Sequence, residues 1–481
     1  MDRRGFLRRV GSGAAGLAAA GVVGRLARVR AAASAGSRPN VVVVVADDLG
    51  WRDTGYAGSP VVKTPALDQM AAGGVRFDYF YSAQQMCSPG RFAILCGRTP
   101  FRCGLHHLGA TRPQEVTIAK ALKTAGYATA QFGKWHLGDG ATNPVRMGFD
   151  QATWSPNYYD LGAKLRVGDT KDTVPLEGDT SVATMALALE YIRQQAAAKT
   201  PFFAYVCFGS PHSPHKAAEE FKAPYQDQAG KADFWGEIAG IDAAVGNLRA
   251  ELRRLGIADN TLVWFTSDNG GITPQSMDPA GLGKGRIGAR TAAVMEWPGR
   301  IRQPVRTSVV TAHQDIYPTI LDIVGVTMAG QPVLDGVSLV PLWEGKMRAR
   351  PKALGFLLWN GKGNFAEIDF VKDPQAVWID GPYKLIVTPP GAGRGKAKGA
   401  AAEEGPPSPV RLFDIYADPA EKTDLAAKMP DVVARMRPGL EEWQRSVRAS
   451  YDGKDLREHA GGRHQRDAQE ALRRTAKGIV H

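Results

Sequence analysis

The side chains best able to do chemistry in this 481-residue sequence fall in a few short clusters. The first is Cys87-Ser-Pro-Gly-Arg91. Pro89 suits the start of a helix, and Phe92-Ala-Ile-Leu-Cys96 continues it with an apolar face, which puts Cys87 at or just before a helix N-terminus. Partial positive charge there favours an anion and activates a sulfur nucleophile. Arg91 lies one turn further along the same face and can lean back toward position 87. Asp47, Asp48, Asp268 and Asn269 offer hard oxygen ligands with no thiolate or imidazole spacing for zinc, a set that suits Ca²⁺ first and Mg²⁺ second. Lys134, His136 and His212 add cationic or proton-carrying groups of the kind a tetrahedral dianionic ester requires. Lys284 stands in Gly-Leu-Gly-Lys-Gly-Arg. Each feature also has an ordinary reading. A lone cysteine packs as a small hydrophobe. Asp-Asn-Gly-Gly makes a turn, His215 alone would be a structural histidine, and Lys284 alone would be an exposed lysine.

The elements that carry these residues decide between the readings. Val41 to Val45 is an apolar run suited to a strand buried on both faces, and it leads into Asp47-Asp48. Tyr127 to Phe132 reads as a strand leading into Lys134 and His136. Phe202 to Phe208 leads into His212 and His215, and Thr261 to Thr266 into Asp268-Asn269. Helical segments at Pro65 to Gly73, Thr117 to Thr124, Ser181 to Ala198 and Phe234 to Leu255 alternate with them, and Ala292 to Glu296 and Ser308 to Thr311 read as further strands before a helix at Gln314 to Val324. This predicts an α/β fold with a large, mostly parallel (mixed) sheet sandwiched by helices over residues 38–345. In such sheets ligands bind beyond the carboxyl ends of the strands, where all four clusters fall. From 346 to 450 short strands at Ala376 to Ile379, Tyr383 to Val387 and Arg411 to Phe413, with a helix at Pro430 to Ser450, predict a small C-terminal antiparallel sheet covered by that helix. Gly391 to Pro409 reads as a loop, and 451–481 as a polar basic tail.

The composition, 44% hydrophobic and 22% charged, is that of a globular protein. Of the formal charge of +12, a net +6 comes from seven arginines and one aspartate within residues 1–35. The remaining charge favours anionic substrates and is too diffuse for nucleic acid, and no stripe of basic and aromatic residues suggests base stacking. Asp2-Arg-Arg-Gly-Phe-Leu-Arg8, a mild apolar stretch and small residues near Ala33 resemble a twin-arginine export signal, which implies the twin-arginine translocon as a partner and a periplasmic or extracellular destination. Such a chain folds in a reducing compartment before export, so its four cysteines are expected to stay unpaired.

Arg38-Pro-Asn-Val with Ala46-Asp-Asp-Leu-Gly-Trp51, Lys63-Thr-Pro-Ala-Leu-Asp68, Cys87-Ser-Pro-Gly-Arg91, Gly133-Lys-Trp-His-Leu-Gly138, Ser267-Asp-Asn-Gly-Gly271, Trp297-Pro-Gly299 and Arg411-Leu-Phe-Asp-Ile-Tyr416 resemble, in order, the blocks of the type I sulfatases, of the alkaline phosphatase superfamily. The resemblance implies a sulfuric ester hydrolase in which a maturation enzyme converts Cys87 to formylglycine, whose hydrate is the nucleophile. It implies one calcium held by Asp47, Asp48, Asp268, Asn269 and the modified Cys87. Arg91 and Lys134 would support the hydrate, Lys134, His212 and Lys284 would bind the sulfate, and His136 would be the base. The substrate class implied is a sulfated small molecule or sulfated glycan. Gly90 departs from the family's usual Ser, and the segment after Lys284 is short. Two alternatives remain: a phosphonate or phosphate ester hydrolase on the same scaffold, and a non-catalytic relative that binds sulfated glycans.

Overall fold

Five consecutive valines, Val41 to Val45, form the centre of the molecule, and all of them are completely buried. A strand alternates its side chains between two faces, so a run of this kind must be covered on both. Val41, Val43 and Val45 pack into one core, and Val42 and Val44 into a second on the opposite face. The computed structural model describes residues 38–158, 161–228, 230–272, 275–277, 290–359, 364–389 and 408–456. Residues 1–37, where an export signal is expected, Lys284, most of the Gly391 to Pro409 segment and residues 457–481 lie outside these.

In chain order the strands are β1 (Asn40–Ala46), β2 (Val75–Phe77), β3 (Phe80–Tyr81), β4 (Ala128–Lys134), β5 (Gln151–Ser155), β6 (Lys164–Val167), β7 (Thr173–Pro175) and β8 (Phe202–Cys207). They continue with β9 (Thr261–Ser267), β10 (Ala293–Glu296), β11 (Val305–Thr307), β12 (Thr311–Ala312), β13 (Leu354–Leu358), β14 (Gln375–Asp380), β15 (Tyr383–Val387) and β16 (Val410–Asp414). The longer helices are α1 (Pro65–Gly73), α2 (Cys87–Cys96), α3 (Ile118–Lys123), α4 (Thr180–Ala198), α5 (Ala232–Arg254), α6 (Ile316–Val324) and α7 (Pro430–Tyr451).

Ten strands form one sheet in the order β11-β2-β10-β9-β1-β8-β4-β5-β6-β7. Its centre is parallel, β1 pairing with both β8 and β9, and β4 with both β8 and β5. Antiparallel pairing enters at β10 and at the β5-β6-β7 edge, so the expected mixed, mostly parallel sheet is what forms. Helices α2, α3 and α6 cover the odd-valine face, and α1, α4 and α5 the even-valine face. The expected strand at Ser308 to Thr311 is displaced: pairing falls on Val305–Thr307 and on the two-residue β12, which lies beside β3. Among the described residues no helix is long and apolar enough to cross a membrane.

The C-terminal strands β13 to β16 make an antiparallel sheet of four. Trp443, Leu440, Met436 and Val447 of α7 pack on one face against Leu357, Trp378, Leu385 and Leu412. The other face meets Tyr81 of β3, Ala312 of β12 and the adjacent Val310. Gly355 permits the close approach of α7, since a Cβ there would stand 2.7 Å from the Trp443 ring.

Asp335 ties these layers together. It accepts hydrogen bonds from Arg102 Nε and Nη2 at 2.8 Å each, from the Thr99 N–H at 2.6 Å and from Trp443 Nε1 at 2.8 Å. Burial works against its charge, but Arg102 outweighs that and holds the carboxyl well below the usual carboxylate range. A group held low contributes stability above its ordinary pKa and loses that contribution as the pH falls. Asp335→Ala, which strands a buried guanidinium, is expected to lower stability at pH 7 by roughly 3–5 kcal/mol in urea unfolding. The gap to the native protein should narrow below about pH 4.

Candidate active site

The central parallel strands β4, β8, β1 and β9 end side by side, and their last paired residues include Gly133 with Cys207, Val45 with Cys207 and Ala46 with Ser267. The segments that follow therefore emerge together. The Asp47 N–H donates to the Ser210 carbonyl at 2.9 Å, and the Asp268 N–H to the Ala46 carbonyl at 3.0 Å. Immediately beyond, Asp48 (φ 63°) and His136 (φ 55°) adopt left-handed backbone conformations. Non-glycine residues reach that region only when their surroundings impose it, a pattern concentrated at functional sites.

Helix α2 enters from the side. It begins at Cys87, as expected, although Pro89 occupies its third position, where the missing N–H still costs nothing. Cys87 Sγ lies 3.2 Å from Asp47 Oδ1 and 3.6 Å from Lys134 Nζ. Lys134 Nζ also donates to Asp47 Oδ2. Arg91 points across the cluster: its Nε and Nη2 lie 2.9 and 2.8 Å from Asp268 Oδ2, and its Nη1 donates to the Lys134 carbonyl at 3.0 Å. The ligand atoms of Asp47, Asp48, Cys87 and Asp268 all lie within 4.8 Å of one another, and all four residues are buried. Asn269 Nδ2 donates to Asp48 Oδ1. On the open side, His212 Nε2 lies 3.6 Å from Asp48 Oδ2.

The electrostatics follow from this packing. Burial alone would raise the Asp47 carboxyl, but Lys134 and Arg91 outweigh it and bring it down to about 2. Asp48 is pushed well above the carboxylate range by burial and by the negative neighbours Asp47 and Asp268. Asp268 is raised for the same two reasons. Burial, then Lys134 and Arg91, lower His136 to about 3, so its imidazole is neutral at physiological pH. One expectation is overturned here. The helix N-terminus does not activate the Cys87 thiol, because burial followed by Asp268 and Asp47 raises its pKa well above the ordinary value. Burial first, and then two nearby carboxylates, oppose the partial charge of the helix end.

Asp47, Asp48, Cys87, Arg91, Lys134, His212, Asp268 and Asn269 thus meet through direct contacts, and His136 lies within their field. His215 faces away from them, toward Glu237. Lys284 lies outside the described residues. Supporting residues also emerge that no sequence cluster announced. His313 is fully buried, and its Nε2 donates to the Ser267 carbonyl at 2.8 Å. Ser82 Oγ donates to the Asp268 carbonyl at 3.1 Å, and Gln131 Nε2 to the Gly133 carbonyl at 3.2 Å. Isolated polar residues of this kind carry no signature, and for His313 and Ser82 the partner lies in a segment distant in sequence.

Comparison with known proteins finds sulfatases. The Sulfatase family model matches residues 39–326. N-acetylgalactosamine-6-sulfatase of Mus musculus is 34% identical over 363 residues, covering 66% of this chain and 69% of that protein. Arylsulfatase A of Homo sapiens is 31% identical over 454 residues, covering 83% and 86% respectively. The fold is also similar to the crystal structure of Ps i-CgsB in complex with k-i-k-neocarrahexaose, with a TM-score of 0.74 at 24% identity, over 90% of this chain and 100% of that one.

Gly90 has a local reason. A Cβ at this position would stand 1.8 Å from the Asp268 carbonyl oxygen, so the backbones of α2 and of the turn after β9 touch directly. Gly90→Ser must push that turn away, moving Asp268 relative to Arg91. Turnover is expected to fall about tenfold to a hundredfold, as for a misplacement of about 1 Å. Wild-type activity in the purified variant would show that the contact can open freely.

Proposed function

The chain belongs to the sulfatase family and is a sulfuric ester hydrolase, and on that premise we propose that it cleaves a sugar or aryl sulfate at the Cys87 cluster, using formylglycine made from Cys87 and a bound calcium. The observation that carries this reading is the convergence of Asp47, Asp48, Cys87 and Asp268 in one buried cluster beside Lys134 and Arg91.

The residues fit a hard divalent cation. Three buried carboxylates share a small volume, and Asp48 Oδ2 and Asn269 Oδ1 are buried with no hydrogen-bond donor. Orphaned buried oxygens are costly, and a cation satisfies them. Asp47, Asp48, Asp268, Asn269 and the modified Cys87 would hold it, and once oxygen replaces the sulfur every ligand is hard, which suits Ca²⁺ first and Mg²⁺ second. Bound there, the cation would neutralise the carboxylates and polarise an oxygen of the ester. The fit to formylglycine is chemical as well: a buried thiol with a raised pKa is a poor nucleophile, whereas an aldehyde hydrate would supply an oxygen nucleophile without thiolate formation.

The surrounding side chains have separable tasks. Lys134 Nζ, between Asp47 and position 87, can donate to an oxygen on residue 87 and to a sulfate oxygen. Arg91 fixes Asp268 and carries positive charge along the inner wall. The His136 imidazole, held neutral, is in the form that accepts a proton from a hydroxyl on residue 87. His212, on the open side, can donate to the sulfate or to the departing alcohol oxygen. Lys284 is proposed as a further sulfate-binding cation. Its substrate is proposed to be a sulfated sugar, as the name of N-acetylgalactosamine-6-sulfatase indicates for that relative. Export through the twin-arginine translocon to the periplasm or beyond, after Cys87 conversion by a maturation enzyme, completes the proposal.

In a host that contains the maturation enzyme, mass spectrometry of the Cys87 peptide is expected to show loss of sulfur and gain of an aldehyde. Cys87→Ala is expected to lower turnover of an aryl sulfate by roughly 10³-fold or more. An aryl phosphate or phosphonate ester turned over faster than the sulfate would displace the assignment of substrate. Chelation should release one divalent cation per chain, measurable by metal analysis, and lower the melting temperature, with calcium restoring both melting temperature and activity.

A further inference from the structure

The loop carrying His212 is held at its far end by α5. His215 Nδ1 lies 3.4 Å from Glu237 Oε2, and the Lys216 N–H donates to Glu237 Oε1. The Ala217 N–H donates to Asp233 Oδ1 at 3.2 Å. Asp233 and Glu237 stand one turn apart on the same face of the helix, and the Phe234 ring meets the His215 ring edge-on at 5.1 Å. Glu237 is completely buried, and a buried carboxylate must be compensated by donors.

This anchorage reaches His212 through few atoms. His212 Nδ1 lies 2.6 Å from the Ser213 carbonyl, and since a carbonyl only accepts, that nitrogen carries the hydrogen. The second ring nitrogen, Nε2, faces Asp48, and from that position the ring donates to a substrate only as the imidazolium. The ring is therefore aimed by a carbonyl in the same short loop as His215. Pro211 and Pro214 fix φ on either side of it, which narrows the ways the chain between His215 and Ser213 can absorb a displacement.

We propose that Glu237, acting through His215, is a positioning residue for His212: it fixes the loop from which the imidazole reaches the substrate's sulfate. The proposal rests on the role given to His212 above. The test is a double-mutant cycle on the full-length matured enzyme, with kcat and KM for an aryl sulfate measured for Glu237→Gln, His212→Ala and the pair, alongside thermal melting. Glu237→Gln keeps the size of the side chain and an acceptor for Lys216 but removes the charge. On its own it is expected to lower kcat/KM about tenfold to a hundredfold. In the His212→Ala background it should cost almost nothing more, because the group it positions is gone. A purely structural defect would lower both backgrounds alike, and that outcome overturns the proposal while leaving the role of His212 intact. Unchanged turnover in His212→Ala alone would remove the role of His212, and this inference with it. Should Glu237→Gln fail to fold, His215→Phe, which keeps the packing on Phe234 and removes the donor, enters the same cycle with the same two readings.

Discussion

Three carboxylates cannot be buried in one small volume without countercharge, and the molecule is arranged around that constraint. Asp47, Asp48 and Asp268 meet at the strand ends with Lys134 and Arg91 as the positive side chains in direct contact. The compensation is uneven. Lys134 and Arg91 stabilise Asp47 as an anion, while Asp48 is left beside two negative neighbours and drifts toward its neutral form. Removing one partner from such a set costs more than the pair itself contributes, because the remaining charge stays buried. The same imbalance leaves buried carboxylate oxygens that could hold a cation.

The sheet makes this possible because parallel strands point the same ends in the same direction. Adjacent strands lie about 4.8 Å apart, so residues just past the ends of β4, β8, β1 and β9 are neighbours by construction. The valines of β1 hold this register from beneath. A slip of one residue would exchange the two cores and carry Asp47 to the wrong side. Helix α2 then needs only one close approach, at Gly90, to bring residue 87 and Arg91 into the gap.

Much of this was legible in the sequence, for identifiable reasons. Unbroken apolar runs ending in Asp47-Asp48 and Asp268-Asn269 carry both the strand and its polar terminus in one local pattern. Cys87 to Arg91 sits on a helix whose start is encoded within five residues. The readings that failed depended on partners distant in sequence. The strands β5, β6 and β7, toward one edge of the sheet, are only five, four and three residues long, too short for their alternation to announce them. The strand expected at Ser308 to Thr311 lies elsewhere because β2 and β3 choose which residues to pair. The Cys87 thiol was misjudged because a helix end can be read locally, whereas the burial that opposes it, and the acids Asp268 and Asp47, come from other segments of the chain. His313 and Glu237 had no signature at all, since their meaning lies in what they touch.

That separation along the chain has a consequence in time. Arg91 meets Asp268 across 177 residues, and until β9 exists nothing can complete the wall around Cys87. At a synthesis rate of 5–20 residues per second, that leaves an interval of roughly ten to thirty-five seconds. Within it the segment around residue 87 is made but cannot yet be enclosed. In the finished fold the same cysteine is only 6% exposed. Any chemistry that another protein performs on this side chain therefore has its natural opportunity while the chain is still being made, before its own last ligands arrive.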